Sequence, residues 1–284
     1  MKSRWIINIL LLLSIGILTL ISYYKPGVNS TDKNLLTHLQ PEDISRISIR
    51  NPLFADIDLY KENDIWFIKA DKPITADSTR VIALTQLASQ AIKYDYSTEQ
   101  MEPEKIGLSP PRSTITLNDQ AIRFGSIDAI ESLRYVQSNN KIALIPDNYQ
   151  QQIHADRLYF VSPRIVQTGQ RIQSIQLPGL TVTHTDHKWL TVPDTQESDS
   201  SITQFIAQWE KASAINMEDY KPIEKNRQII LYLRQPREMI HLDILASETS
   251  LVVGRRDIGL QYNLGGNQDK LLQIPNIGST EQEK

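Results

Sequence analysis

The residues best equipped for chemistry are five histidines, His38, His154, His184, His187 and His241, and only the run Thr183-His184-Thr185-Asp186-His187 gathers potential metal ligands. Two imidazoles and a carboxylate can hold zinc if a turn brings them together, which would make the chain a metal-dependent hydrolase. The run falls at the tip between two strand patterns, where polar residues belong anyway, and no distant third ligand site accompanies it. A solvated hairpin loop is the favoured reading. Asp56 with Asp58, or Glu102 with Glu104, would suit an acid and a base flanking a glycosidic bond. Asp56 and Asp58 alternate with Ile57 and Leu59, however, which places both carboxylates on the wet face of a strand. Arg255-Arg256-Asp257 reads as an exposed hairpin turn whose small basic spot would suit lipid headgroups or a partner.

The sequence holds no nucleophile elbow, His-Glu-x-x-His helix, Walker loop or dinucleotide glycine fingerprint. Gly265-Gly266 lies between strand patterns and precedes no helix, so it is a turn and not a phosphate cradle. Trp66 and Trp189 occupy matched places in the chain and read as core anchors more than as a ligand surface, and Trp209 reads as core at helical spacing with Phe205 and Ile206. Cysteine is absent, which removes disulfides, thiolate nucleophiles and Cys-ligated metals together. A net charge of −3, with 22% charged residues, provides no basic field for nucleic acid. No catalytic, cofactor-binding or metal residue is assigned.

The elements that would position these groups begin with residues 5–24, Trp-Ile-Ile-Asn-Ile-Leu-Leu-Leu-Leu-Ser-Ile-Gly-Ile-Leu-Thr-Leu-Ile-Ser-Tyr-Tyr. About 20 apolar residues in a helix rise about 30 Å, the thickness of the bilayer hydrocarbon. Trp5 and the Tyr23-Tyr24 pair suit the two headgroup levels, and Lys2 and Arg4 keep the N-terminal side in the cytoplasm. A cleaved signal peptide has a shorter core and a small-x-small site close behind it; here Lys25-Pro26 follows directly, so the segment is expected to stay as a single-pass anchor. A buried helix of a soluble domain conflicts with apolar residues on every face.

Beyond a tail at 1–4 and the anchor at 5–24, the sequence divides into a linker at 25–43, a first α+β unit at 44–149, a connector at 150–170, a second unit at 171–277 and a polar tail at 278–284. In the first unit Ile47 and Ile49, then Ile57 and Leu59, alternate as strands do. Ile65 to Lys69 carries Trp66 and is closed by Pro73, and Asp77 caps a helix with Val81, Leu84, Ala88 and Ala91 on its apolar face. Short antiparallel strands follow at 114–117, 122–124, 133–136 and 141–145, turned by Asn118-Asp119 and Asn139-Asn140.

The same order of landmarks recurs from Arg171 onward. Residues 172–177 and 180–185 repeat the first two strands, Lys188 to Pro193 repeats the tryptophan strand, and Asp199 caps a second helix carrying Ile202, Phe205, Ile206 and Trp209. Leu251 to Gly254 then matches Ile122 to Gly125, Leu260 to Tyr262 matches Leu133 to Tyr135, and Lys270 to Pro275 matches Lys141 to Pro146. The fold class expected is α+β: one N-terminal transmembrane helix followed by two related antiparallel-sheet-plus-helix units made by internal duplication.

Trp66, Pro73, Ala76-Asp77 before a helix, Ile106-Gly107-Leu108 followed by Pro110, and Phe124-Gly125 before Tyr135-Val136 together resemble the domain-of-unknown-function family 4340. The resemblance covers residues 44–146, and the second unit only through its Trp, helix and Gly-to-Tyr spacing. It implies a membrane-anchored bacterial envelope protein, similar to domains of gliding-motility auxiliary components associated with ABC transporters. The family brings no established catalytic residues. The expectation is therefore a non-catalytic, periplasm-facing interaction or scaffold protein in the inner membrane, accessory to an ABC-type transport or envelope assembly. The alternatives are a periplasmic small-molecule or glycan-binding module with a cleft between the units and, weakest, the hydrolase built on His184, Asp186 and His187.

Overall fold

In a computed structural model, residues 11–16, 19, 34–186, 188–224, 227–266 and 268–274 are described. The expected anchor at 5–24 is covered only at 11–16 and 19, which are helical; the tail at 1–4, residues 25–33 of the linker and the polar tail at 278–284 lie outside the described residues. Among the described residues no helix is long and apolar enough to cross a membrane.

The body consists of two antiparallel sheets with a few helices. The first sheet contains β1 (Arg46–Arg50), β2 (Ile57–Glu62), β3 (Ile65–Ile68), β4 (Ile74–Thr75), β5 (Tyr94–Ser97), β6 (Ser113–Leu117), β7 (Gln120–Ile127), β8 (Leu133–Ser138) and β9 (Lys141–Pro146), with helix α1 (Ser78–Thr85) between β4 and β5. Their spatial order is β4-β3-β2-β1-β6-β7-β8-β9-β5. After α2 (Gln150–Ile153) and α3 (Arg157–Phe160), the second sheet is built from β10 (Ile172–Leu177), β11 (Leu180–Thr185), β12 (Lys188–Val192), β13 (Asn216–Asp219), β14 (Arg227–Leu233), β15 (Glu238–Ala246), β16 (Val252–Arg255) and β17 (Leu260–Asn263). Helix α4 (Asp199–Lys211) separates β12 from β13, and α5 (Gln268–Leu271) follows β17. The order β12-β11-β10-β14-β15-β16-β17-β13 repeats that of the first sheet strand for strand, without a counterpart to β4.

Local chemistry accounts for these elements. Ile47, Ile49, Ile57 and Leu59 are all buried, so the period-2 alternation of β1 and β2 gives one core face. Asn63 and Asp64 turn β2 into β3 with φ of 49° and 63°, the left-handed pair that a two-residue hairpin requires. Asp77 caps α1 by accepting from the backbone N–H of Thr79 and Arg80. Helix α4 starts at Asp199, but its cap is Ser198, whose Oγ accepts from Ser201 N at 3.1 Å; the cap thus lies one residue before the expected Asp199.

Two further expectations are corrected. The landmarks matched late in the second unit are offset by one strand: in sheet order β7 corresponds to β15, β8 to β16 and β9 to β17, so Gly254 does not stand where Gly125 stands. Of the strand expected at 270–275, the described residues 270–274 show none, because Gln268–Leu271 is a helical turn, and the buried Leu271 accepts the Trp209 indole N–H at 2.8 Å. Within the stretch read as linker, residues 34–43 lie on the first unit: Leu35 bridges to Ala91, and Leu36 joins the core.

The connector is a structural member of both units. Ser162 N bonds Thr75 O at 3.0 Å on the first sheet, and Ala214 N bonds Pro163 O at 2.9 Å on the way into β13. Its Ile153, Phe160, Val161, Ile165 and Val166 are buried in one hydrophobic cluster that runs from Leu36 to Leu271. Strand β4 and the connector thereby close the outer edge of β3 and bring it against the second sheet.

Candidate functional site

The residues that suggested chemistry in the sequence are dispersed. His184 and Asp186 lie at the tip of the β11–β12 hairpin, Asp186 with a turn φ of 46°, and the His184 ring meets its cross-strand partner Trp189 edge-on at 4.8 Å. His187 lies outside the described residues. No group of three or more metal-ligating side chains occurs among the described residues. Asp56 and Asp58 both serve Arg50, at 3.1 and 2.8 Å, and Glu102 accepts from Lys105 at 2.8 Å, so these carboxylates are occupied by surface ion pairs. Trp66 and Trp209 are core, as expected, whereas Trp189 is only half-buried.

Arg255-Arg256-Asp257 is where sequence reading missed most. Arg255 ends β16 and a 3-10 turn begins at Arg256, and only Arg256 behaves as the exposed basic group expected there. Arg255 has just 11% of its side chain exposed and grips Asp257 with two bonds, Nε–Oδ1 at 3.1 Å and Nη2–Oδ2 at 2.7 Å. Lys72, carried by the loop between β3 and β4, donates to the same Asp257 from the first unit. Glu238 stands 4.0 Å from Arg255. Burial pushes the Asp257 carboxyl up, but the bonds and charges of Arg255 and Lys72 prevail and hold it at about 2. The result is a latch of two cations and two carboxylates across the junction of the sheets.

Behind the latch a cleft of about 360 Å³ lies between the units. Its walls include Phe67 and Ile74 of the first sheet, Ile165 of the connector, and Ile240, Ile258 and Tyr262 of the second unit. Tyr262 on β17 is 3% exposed, and burial pushes its phenol up to about 12. Its hydroxyl takes part in no hydrogen bond among the described residues. Two other hollows, of about 480 Å³ beside α4 and α5 and about 850 Å³ beside the β14–β15 turn, open more widely to solvent.

A second surface stands out by comparison of the sheets. Strand β4 pairs outside β3 through Phe67–Thr75 and Ile68–Ile74, whereas the corresponding strand β12 ends its sheet with no strand outside it among the described residues. Leu190 and Val192 on β12 are 55% and 69% exposed.

These features define a two-sheet α+β body with a cleft between the sheets and, at β12, an outer strand that lacks the β4-like neighbour of the first sheet. Compared with protein-family models, curated proteins and solved structures, the chain matches none.

Proposed function

We propose that the chain is a single-pass inner-membrane protein, anchored by residues 5–24 with its N-terminus in the cytoplasm, whose periplasmic body holds a partner protein and catalyses nothing. The body would have arisen by duplication of one unit, and the resemblance to family 4340 makes an ABC-type transport or envelope assembly the setting. The observation that supports a holding role is the open edge of β12. An unpaired strand edge with exposed Leu190 and Val192 is a template for strand addition unless something covers it. The first unit shows what suits this position, because there β4 pairs with the equivalent strand and buries Ile74. An extended segment with an apolar residue at alternate positions, supplied by the partner, fills the same place on β12.

The test is purification of the full chain in mild detergent. A membrane protein should co-purify reproducibly with the native chain and be lost from a Leu190→Lys, Val192→Lys double variant of unchanged unfolding midpoint. A chain that remains solitary removes the proposal. Its topology is tested separately by a reporter at the C-terminus, which should be active only outside the cytosol.

A further inference from the structure

The inter-unit cleft carries an inference independent of the partner edge. We infer that it is a binding site for a small uncharged molecule with an apolar body and one hydrogen-bond-accepting oxygen, seated between the sheets with that oxygen on Tyr262. Its volume, about 360 Å³, falls within the range of about 300 to 1,000 Å³ typical of small-molecule sites. Phe67, Ile74, Ile165, Ile240 and Ile258 give it an apolar surface beside the polar Thr75, Gln167, Gln170 and Gln235, which suits a ligand with an apolar body and a polar group.

Charge selects against an ion. The cations at the cleft, Lys72 and Arg255, are engaged by Asp257 and Glu238, so two positive groups meet two negative ones. A charged ligand would give up its hydration and find no free counter-charge there. Tyr262 then selects the polar group. Tyr262 lines the cleft and its hydroxyl bonds to no described residue, so a ligand oxygen can take the place of water on it. The phenol remains protonated throughout the physiological range, with its pKa pushed up to about 12, so it is a permanent donor. A ligand oxygen that accepts from it satisfies the hydroxyl and fixes the orientation of the apolar body.

Benzophenone has the required character and marks its own position, because its photoexcited carbonyl inserts into neighbouring C–H bonds. The full chain in mild detergent is irradiated with benzophenone, and adducts are mapped by peptide mass spectrometry. Adducts are expected on peptides carrying Ile74, Ile240 or Ile258. Tyr262→Phe should lower the yield three- to tenfold, and Thr168→Trp, which fills the cleft from its exposed rim, should abolish it. The anionic analogue 4-benzoylbenzoate should label the same peptides at least tenfold less. Labelling that follows surface exposure, or that neither substitution changes, would show a cleft filled only by water and overturn the inference. Equal labelling by the anionic analogue would overturn its charge selection. None of these outcomes depends on whether a protein partner co-purifies.

Discussion

At the scale of single residues, two glycines on non-equivalent strands, β7 and β16, are closed off by different kinds of neighbour. A Cβ on Gly125 would lie 2.4 Å from Ile106 O, a backbone atom held in place by the 2.7 Å bond it accepts from Ser126 N. Two motif pieces far apart in the sequence, Ile106-Gly107-Leu108 and Phe124-Gly125, are therefore one contact: the loop after β5 crosses β7 at the residue that has no side chain. Buried Arg134 reinforces it by donating to Gly125 O at 2.8 Å while pairing with Asp147. A Cβ on Gly254 meets instead the Tyr220 ring, at 2.4 Å. That ring can move, although moving it breaks the 2.6 Å bond from Tyr220 to the buried carboxylate of Asp243. Gly125→Ala should therefore cost about 2 to 3 kcal/mol and Gly254→Ala about 1 kcal/mol in urea unfolding, the fixed backbone making the difference. Equal costs would show that the Ile106 loop yields as readily as a side chain. Asp257 contributes a dependence on acidity. Its carboxyl has a folded pKa of about 2, below the unfolded value of about 3.9, so its stabilisation is complete above about pH 4 and disappears as pH falls through about 2. After screening, Asp257→Asn should cost about 1 to 2 kcal/mol at pH 6 and only a small fraction of that at pH 2, where about half of the folded-state carboxyls are protonated. A difference that stays constant between those pH values would mean that the latch does not hold the junction.

At the scale of elements, what the sequence made legible was whatever a local pattern encodes. Strands β10, β11 and β12 match their expected limits because alternation and flanking turns are local, and α4 matches because Ile202, Phe205, Ile206 and Trp209 repeat at helical spacing. Pairing between strands is not local. Successive strands of a meander share one period and similar composition, so a shift of a whole strand leaves the pattern intact, and the Gly-to-Tyr spacing matched β16 and β17 to β7 and β8. The two-residue β4 and the outer strands β5 and β13 carry too little alternation to be recognised, although β4 decides which edge of the body is closed. The cleft was foreseen only as a gap between units; Lys72 and Asp257, 185 residues apart, have no sequence signal that would pair them. The cap of α4 offers a direct comparison. Ser198→Ala removes the oxygen that accepts from Ser201 N and should cost about 1 kcal/mol, whereas Asp199→Ala removes only a charge in the first turn and should cost less than about 0.5 kcal/mol. The reverse ranking in thermal unfolding would return the cap to Asp199.

At the scale of the whole molecule, the question is whether two sheets with the same strand order behave as two domains. Repeated units joined by a solvated linker would unfold separately, because few contacts would cross between them. Here the connector is buried from Ile153 to Val166 at several points, and its backbone bonds both Thr75 and Ala214. The core is one cluster that includes Phe160, whose ring is fully buried and stands edge-on to Tyr159 at 5.0 Å. Arg164 adds to the joint by donating to Glu210 O at the end of α4 and to Val166 O. Cooperativity follows from this continuity, since neither sheet can open without exposing side chains that the other helps to bury. The native body should therefore unfold in one calorimetric transition with matching van't Hoff and calorimetric enthalpies. Phe160→Ala, by emptying the joint and leaving the sheets intact, should cost about 3 to 5 kcal/mol and separate the transition into two. Two transitions already present in the native protein would mean that the connector joins the sheets without coupling them, and the cleft would then lose the fixed walls that a binding site needs.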